Sequence, residues 1–491
     1  MSRWYQSAFR ILIAVCSVIG VVISVYMIVQ RFLYLSGGFQ YDELYSAITA
    51  APDISLPFVW KEMFLKDVNL PLFNMLLFGW NRIFPYTVFW MHLFSALLGT
   101  AAILAAWLLA PKSWPVLKKG IFVSLMACSF VLVGYGAIVR AYSLSVLLST
   151  IFTLQALRLI EQLQAKQNPR THAWLAFFGV GFLGAYSHYF CAGAFFITAL
   201  VVFLYTCYYK LARKWAFWGT AVVFFLWAGW LINVWKLMNG VSGVWWYSVP
   251  LAKATWELIT FLVGPLHIFQ GILYGSILAL ISLVFTYRKS FFKHADLVLP
   301  LAQIILICVV VSIVALRYNL WMDRYFLPLM PAILLLLAGF LYHLYERHAI
   351  LLILWPVLLF AWLKFFWVQD YLLTEEFTGL RYAVSYLVNE RKADQVLVAT
   401  GRMGYPKAAL SRMIAYYIPP TSKMELIPLT PQTTPMGWQS KPKIPVLMPV
   451  CSQVHLLTTS VDMNMDVERD LMLFGPDVCV FSIRPLREEK L

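Results

Sequence analysis

Residues 173–209 read AWLAFFGVGFLGAYSHYFCAGAFFITALVVFLYTCYY and contain no aspartate, glutamate, lysine or arginine. About 20 apolar residues in a helix cross the hydrocarbon layer of a membrane, so this stretch is long enough for two consecutive spans. Residues 120–139 and 296–316 are similarly apolar. In the whole chain of 491 residues, 61% are hydrophobic and 12% are charged, which is too few charges for the surface of a soluble protein. The sequence therefore predicts a polytopic α-helical membrane protein.

The net charge of +15 is confined to the predicted membrane part. Residues 1–368 hold 25 basic and 10 acidic residues, whereas residues 369–491 hold 13 of each. Most of the basic residues lie in short loops, as the positive-inside rule predicts for cytoplasmic loops. These loops contain Lys112, Lys118 and Lys119; Lys166 and Arg170; Lys210, Arg213 and Lys214; and Arg288, Lys289 and Lys293. The sequence has no basic–aromatic groove pattern or finger spacing, so we expect no nucleic-acid partner.

The segment LPLFNMLLFGWNRIF, residues 70–84, determines the predicted topology. It is short for a span and is followed by Pro85, which is typical of a helix that lies in the membrane interface. If it crossed the membrane, Lys118 and every later basic cluster would lie outside. We therefore predict that residues 70–84 form a juxtamembrane helix within a first outer loop, residues 36–87.

Eleven spans follow from this topology and form a membrane domain, residues 1–368. We expect them near residues 11–33, 88–110, 120–138, 142–162, 173–187, 190–209, 215–234, 271–287, 296–316, 325–345 and 349–368. The N-terminus is then cytoplasmic, and the C-terminal domain lies outside an inner or plasma membrane.

Residues 369–491 are predicted to form this extracytoplasmic domain, of the α/β class. The expected elements are helices at 377–390 and 408–417, strands at 394–400, 454–459 and 478–483, and a loop or edge excursion at 419–447. No glycine-rich phosphate loop and no GxSxG motif occurs, so nothing indicates a nucleotide site in this domain.

Half of the acidic residues of the membrane part lie in the first outer loop, namely Asp42, Glu43, Asp53, Glu62 and Asp67. Asp42 and Glu43 follow the first span, and Asp67 precedes the interfacial helix. Carboxylates beside a low-dielectric boundary can act as a base or hold a divalent cation. An ordinary hydrated loop is the alternative interpretation.

Cationic and aromatic residues are expected on the same face of the membrane. They are Arg140 and Tyr142, His188 and Tyr189, Lys253, and Arg324 and Tyr325. An arginine in apolar sequence is costly unless it meets an anion or a carboxylate. Singly, arginines also reach to lipid headgroups and aromatic residues form interface belts. Their shared face nevertheless indicates one outer cavity surrounded by acids, arginines and aromatic rings.

In their order and layout these motifs resemble the GT-C membrane glycosyltransferases of the protein-mannosyltransferase and aminoarabinose-transferase type. The similar motifs are DELY at 42–45, DVNLPLFNMLLFGW at 67–80, RAYSL at 140–144, HY at 188–189 and RYFLPLMP at 324–331. The strand DQVLVAT at 394–400 is similar to part of the outer domain of many members. The resemblance spans nearly the whole chain.

The resemblance implies an inverting transfer of a sugar from a polyprenyl-phosphate carrier to a glycan, lipid or protein acceptor on the outer face. Asp42 would then be the base that deprotonates the acceptor hydroxyl, and Glu43 would orient it or share its role. The lipid-phosphate and substrate ligands would be Arg140, Tyr142, His188, Tyr189, Lys253, Arg324 and Tyr325. A divalent metal cation, held partly by Asp67, is a further expectation.

One motif departs from the family pattern. Asn69-Leu70-Pro71-Leu72 stands where the family has His/Lys-Pro-Pro-Leu, so Arg140, Arg324 or Lys253 would have to supply the missing positive charge. An inactive or accessory paralogue of the enzyme therefore stays open as an alternative. A transporter or flippase for lipid or polysaccharide is the other, although the sequence shows neither the internal repeat nor the midplane charges that are typical of transporters.

Overall fold

The computed structural model describes residues 3–33, 35, 39, 41–67, 69–240, 294–315, 323–375, 383–390, 395–399, 422, 425–429, 444–448, 465–474 and 478–485. By their contacts, the residues form two compact units. The first unit comprises Met1–Ser36, Asn69–Leu76 and Phe89–Val368; the second comprises Gly37–Val68, Leu77–Val88 and Gln369–Leu491. Residues 37–68 and 77–87 of the first outer loop thus belong to the same unit as the C-terminal segment.

Most of the described chain is helical. The helices are α1 (Arg3–Leu33), α2 (Tyr41–Thr49), α3 (Leu56–Glu62), α4 (Leu72–Ile83), α5 (Val88–Leu109), α6 (Val116–Cys128), α7 (Phe130–Gly134), α8 (Tyr142–Gln164), α9 (Thr171–Ser187), α10 (Tyr189–Tyr209), α11 (Arg213–Gly240), α12 (Ala295–Ala315), α13 (Met330–Arg347) and α14 (Leu354–Glu375). Three 3-10 turns and one π-type turn complete them, at Phe64–Lys66, Asp323–Leu329, Ala349–Ile353 and Tyr386–Glu390.

Seven of the described helical segments are long and apolar enough to cross a membrane. They are Phe9–Leu33, Val88–Leu109, Tyr142–Gln164, Tyr189–Tyr209, Arg213–Asn233, Arg324–Arg347 and Ala349–Phe366. Each of them overlaps a predicted span. Of the other four predicted spans, residues 271–287 lie outside the described part, and residues 173–187 and 296–316 correspond to α9 and α12. A total of eleven spans stays a prediction.

The predicted span at 120–138 is interrupted. Ser129 separates α6 from α7 because its backbone, at φ −55° and ψ 114°, leaves the helical region. In a continuous helix the carbonyl of Met126 would accept a hydrogen bond from residue 130. Here it accepts one from the Arg31 guanidinium of α1, at 3.3 Å from Nη2. A side chain from another helix thus replaces a bond within the helix.

Polar contacts also join the helices of the first unit. Gln303 of α12 donates to the hydroxyls of Thr153 and Thr198, at 3.0 Å and 2.5 Å, and so ties α12 to α8 and α10. Lys118 of α6 forms an ion pair with Asp296 of α12. Buried polar groups that bond to each other across helices fix the positions of those helices, because a shift would leave them unpaired.

The second unit contains a five-stranded sheet in the order β2-β1-β3-β5-β4. The strands are β1 (Gln395–Ala399), β2 (Glu425–Leu429), β3 (Ile444–Met448), β4 (Met465–Phe474) and β5 (Val478–Pro485). Strand β1 is parallel to β2 and β3, whereas β5 is antiparallel to β3 and β4.

Several predicted elements of the C-terminal part can be located. The strands expected at 394–400 and 478–483 correspond to β1 and β5, and residues 383–390 of the expected helix 377–390 are helical. The stretch 419–447, expected as a loop or edge excursion, contains the edge strand β2 and the start of β3. The expected elements at 408–417 and 454–459 lie outside the described residues, and an extracytoplasmic α/β domain stays a prediction.

Candidate functional site

The predicted site residues divide between the two units. Arg140, Tyr142, His188, Tyr189, Arg324 and Tyr325 belong to the first unit, and Asp42, Glu43 and Asp67 belong to the second. Lys253 lies outside the described residues, and of Asp42 the structure describes the helical backbone in the first turn of α2.

His188 connects two helices of the first unit. It lies between α9 and α10 with an extended backbone, φ −160° and ψ 142°, and it caps the N-terminus of α10. Its Nδ1 accepts a hydrogen bond from the backbone N–H of Phe190 at 3.3 Å. Because an accepting nitrogen carries no proton, the proton of the neutral ring is assigned to Nε2. His188 therefore presents an N–H donor on the side of the ring away from the cap.

Aromatic rings from three elements surround His188. Its ring centroid lies 6.4 Å from that of Tyr142 at the start of α8 and 5.6 Å from that of Tyr325 in the 3-10 turn. Phe190 of α10 lies at 5.8 Å. Tyr135 in turn packs edge-on against Tyr142 at 5.4 Å. The starts of α8 and α10 and the turn before α13 thus converge at this histidine.

Two cations act on the same histidine. Burial first, and then the positive charges of Arg140 and Arg324, lower the pKa of His188 from 6.5 to about 3. The ring is therefore neutral at physiological pH and acts as a donor rather than as a third cation. The structure brings together Arg140, Tyr142, His188, Arg324 and Tyr325, and Tyr189 follows as the first residue of α10. Two guanidinium groups and a neutral N–H are suited to bind an anion with several oxygens, such as a phosphate.

Residues 135–141, between α7 and α8, carry Arg140 to this cluster. The Ser143 hydroxyl donates to the carbonyl of Gly136 at 2.8 Å. The backbone N–H of Arg140 donates to the carbonyl of Ile138 at 2.7 Å. A Cβ at Gly136 would lie 2.7 Å from the carbonyl oxygen of Leu132, so only glycine fits without a shift of the backbone.

Arg31 is a buried cation that lies outside the sequence motifs. It is 2% exposed, and its Nη2 donates to Met126. Its Nε is buried without a hydrogen-bond partner among the described residues. With Tyr135, Tyr142 and Ser143 it lines a small cavity next to the His188 cluster. The available signal was a single arginine inside the apolar run of the first span, YMIVQRFLYL at 26–35.

The acids of the second unit differ in their surroundings. Glu43 and Asp67 are buried, and the Tyr45 hydroxyl donates to Oδ2 of Asp67 at 2.7 Å. Asp53 is exposed, and Glu62 pairs with Lys66 one helical turn further on. The hydrated-loop interpretation therefore suits Asp53 and Glu62, whereas Glu43 and Asp67 are held in the protein interior.

The described residues do not assemble a metal site. No group of three or more histidine, cysteine, aspartate or glutamate side chains lies close enough together among them to hold an ion. One oxygen of Asp67 already accepts the Tyr45 hydroxyl. A divalent cation at Asp67 stays a prediction.

Comparisons with known proteins come from solved structures. No protein-family model and no curated protein matches the chain. ArnT from Cupriavidus metallidurans in the apo state aligns with a TM-score of 0.54 and 11% identity, over 94% of this chain and 97% of ArnT. ArnT bound to undecaprenyl phosphate aligns over the same shares of the two chains with a TM-score of 0.53 and 10% identity.

An oligosaccharyltransferase of Archaeoglobus fulgidus, in complex with zinc and sulfate, aligns less closely. Its TM-score is 0.43 at 13% identity, over 83% of this chain and 62% of that one, which is too distant to support an inference. The two ArnT alignments, in contrast, cover almost the entire chain. The chain therefore has the GT-C fold of multi-pass membrane glycosyltransferases, the fold that its sequence motifs resemble.

Proposed function

We propose that the chain is an integral membrane glycosyltransferase that moves a sugar from a polyprenyl-phosphate donor to an acceptor on the extracytoplasmic face. The observation that carries the proposal is the cluster of Arg140, His188 and Arg324, enclosed by Tyr142 and Tyr325. The fold supports it, because ArnT has this fold and one ArnT structure is bound to undecaprenyl phosphate.

The reaction separates charge between the acceptor and the leaving group. A carboxylate, which we assign to Asp42, removes the proton from the acceptor hydroxyl, and Glu43 orients the same hydroxyl. The acceptor oxygen then bonds to the anomeric carbon while the bond from that carbon to the phosphate oxygen breaks. The electron pair of the broken bond stays on the phosphate oxygen. Because the acceptor oxygen attacks from the face opposite the phosphate, the configuration of the anomeric carbon inverts.

The leaving phosphate gains negative charge as this bond breaks. Arg140 and Arg324 lower the barrier if they bind that charge more strongly in the transition state than in the donor. The neutral His188 donates a hydrogen bond from its Nε2–H without adding a third positive charge, and Tyr142 and Tyr325 exclude water from the ion pairs. Tyr189 and Lys253 are assigned to the same phosphate or to the sugar.

The test uses the purified full-length chain in detergent with radiolabelled polyprenyl-phosphate sugars and a membrane extract as the source of acceptor. The wild type is expected to release polyprenyl phosphate, and Asp42→Asn is expected to lower the rate at least about a hundredfold, because general-base catalysis contributes that much. Asp53→Asn is the matched control, since Asp53 is an exposed acid in the same outer loop.

Three outcomes would contradict parts of the proposal. Full activity of Asp42→Asn would show that another group is the base. Binding of polyprenyl phosphate without any release from its sugar-linked form would indicate an inactive paralogue. Movement of the intact donor across a proteoliposome membrane, without cleavage, would indicate a flippase.

A further inference from the structure

The C-terminal end of α2 and the residues that follow it, up to Ile54, are held by side chains from a different part of the second unit. A helix leaves its last carbonyl groups without partners inside the helix. In α2 these are the carbonyls of the last turn, which ends at Thr49. The chain then continues through two tight turns, in which the N–H of Ala50 donates to the carbonyl of Ala47 and the N–H of Ala51 donates to the carbonyl of Ile48. Further donors are needed to saturate the carbonyl groups of this segment.

Three residues at and after the end of α4 supply these donors. Asn81 Nδ2 donates to the carbonyl of Ala50 at 3.0 Å. Arg82 donates from Nη1 to Ala51 at 3.2 Å and from Nη2 to Ile54 at 2.7 Å. The Tyr86 hydroxyl donates to Ala47 at 3.0 Å. Four side-chain hydrogen bonds therefore end on the backbone of residues 47–54, and we call Asn81, Arg82 and Tyr86 the carbonyl clamp.

The charge of the clamp matches its position. The C-terminal end of a helix carries partial negative charge, and the Arg82 guanidinium lies as a cation just beyond it, on the carbonyls of Ala51 and Ile54. The ring of Phe78, one turn earlier in α4, lies 3.9 Å from the centre of this guanidinium and holds it from the other side. Both nitrogens of the guanidinium fork are thus aimed at backbone carbonyls of the first outer loop.

A second contact fixes the middle of the same helix. Tyr45, halfway along α2, donates its hydroxyl to the buried Asp67. A helix of nine residues is about 13 Å long, so anchors at its middle and at its end leave little freedom to tilt. Asp42 and Glu43 lie in its first turn, where any tilt about these anchors would move them.

We propose that Asn81, Arg82 and Tyr86 are positioning residues that set the orientation of α2 and thereby place the carboxylates of its first turn. None of the three touches the acceptor or the donor in this proposal; they act through the backbone of α2. The kinetic consequence rests on the proposed glycosyltransferase function, whereas the effect on the helix does not.

The experiment measures hydrogen exchange and kinetics on the full-length chain. Three variants weaken the clamp: Arg82→Ala removes two bonds and the charge, Arg82→Lys keeps the charge and loses the fork, and Tyr86→Phe removes one hydroxyl. Lys61→Ala is the control, because Lys61 is an exposed cation of α3 in the same unit. Tyr86→Phe is the mildest change and keeps the test decisive if Arg82→Ala fails to fold.

We expect amide exchange in the peptide covering residues 41–54 to rise about tenfold in Arg82→Ala, with the helices of the first unit unchanged. We expect kcat to fall about ten- to a hundredfold because the base is misplaced, while KM for the lipid donor stays constant. Arg82→Lys and Tyr86→Phe should lie between this variant and the wild type.

Unchanged amide exchange in residues 41–54 of the variants would show that the carbonyl clamp does not order α2. Faster exchange with an unchanged kcat would overturn its role in placing the carboxylates, and so would a loss confined to KM. If the wild type itself transfers no sugar, the proposed function fails, and the exchange measurement still decides whether the clamp orders α2.

Discussion

At the scale of single residues, His188 shows how surroundings select one property of a side chain. Its Nδ1 accepts a hydrogen bond from the N–H of Phe190. Burial and the positive charges of two neighbouring arginines lower its pKa, so the ring does not take a second proton. A charged histidine between two arginines would repel both of them. The ring therefore serves as helix cap and as neutral donor, whereas a histidine at this position in a sequence is equally compatible with an acid–base role.

This neutrality makes stability depend on pH. The pKa of His188 is about 3 in the folded chain and about 6.5 when unfolded, so between these values the unfolded chain holds one more proton. Stability contributed by the neutral ring is therefore complete above pH 6.5 and is lost as the pH falls, at up to about 1.4 kcal/mol per pH unit.

We expect the unfolding temperature of the wild type in detergent to fall between pH 7.5 and pH 5 by more than that of His188→Gln. The glutamine cannot titrate, and its amide keeps an N–H donor of similar reach. Parallel pH curves for the two proteins would show that His188 is not held neutral by the fold.

At the scale of elements, interruptions of helices create the site. The first-unit cluster depends on the break at Ser129, on the turn at residues 135–141 and on the N-terminal cap of α10. The break exposes a carbonyl that Arg31 binds, and the turn directs Arg140 toward His188.

Replacement of Gly136 tests the turn. In Gly136→Ala the new Cβ would meet the carbonyl oxygens of Leu132 and Val133 at 2.7 Å and 3.1 Å. We expect a loss of about 1–3 kcal/mol of stability, typical of overpacking, together with weaker binding of polyprenyl phosphate because Arg140 is displaced. Thermal unfolding and ligand binding in detergent measure the two effects.

Gly179→Ala is the matched control. Gly179 lies in α9, and a Cβ there meets nothing within 4 Å. This alanine should leave binding unchanged and stabilise the helix slightly, since alanine restricts the unfolded chain. Equal stability and equal binding of the two variants would show that the turn at residues 135–141 does not position Arg140.

The edge strand β4 and the central strand β1 of the sheet differ in composition. The first six residues of strand β4, MDVERD, include Asp466, Glu468 and Asp470, so only its last four residues, LMLF, form an apolar run and the strand was not predicted. It is an edge strand that pairs with β5 on one side only, and edge strands tolerate charges that a central strand would not. Strand β1, which has neighbours on both sides, is apolar at Val396, Leu397 and Val398 and was recognisable for that reason.

At the scale of the whole molecule, the distribution of charge predicts the orientation in the membrane. The fold shared with ArnT supports a multi-pass chain, and the basic loops favour a cytoplasmic location for the turns near Lys112, Lys166 and Lys210. The first outer loop would then lie on the other side, with the acids that the proposed reaction needs.

Cysteine labelling tests this orientation. Lys112 and Asp53 are both exposed, one in a basic loop and the other in the first outer loop. In a background without the native cysteines, Asp53→Cys should react with a membrane-impermeant maleimide in intact cells. Lys112→Cys should react only after the cells are opened. Labelling of Lys112→Cys in intact cells would reverse the topology and move the proposed base to the cytoplasmic side.

The sequence alone determined the properties that depend on neighbouring residues. Apolar runs predicted membrane helices, seven of which have the required length among the described residues, and the motifs indicated the GT-C fold. Arg140, Tyr142, His188, Arg324 and Tyr325 were selected from the sequence, and the structure brings these five together. Local composition is sufficient here because span length and the cost of charge in an apolar run are both local quantities.

Only the tertiary structure decided which distant groups meet. The bond from Arg31 to Met126 joins residues 95 positions apart, and that from Asn81 to Ala50 joins residues 31 positions apart. The bond from Tyr45 to Asp67 also joins residues that are distant in the sequence. This contact accompanies the burial of Asp67, whereas Asp53 of the same loop stays exposed. No local pattern encodes such pairs, because a carbonyl left unpaired by a helix end can accept a donor from any element that packs beside it.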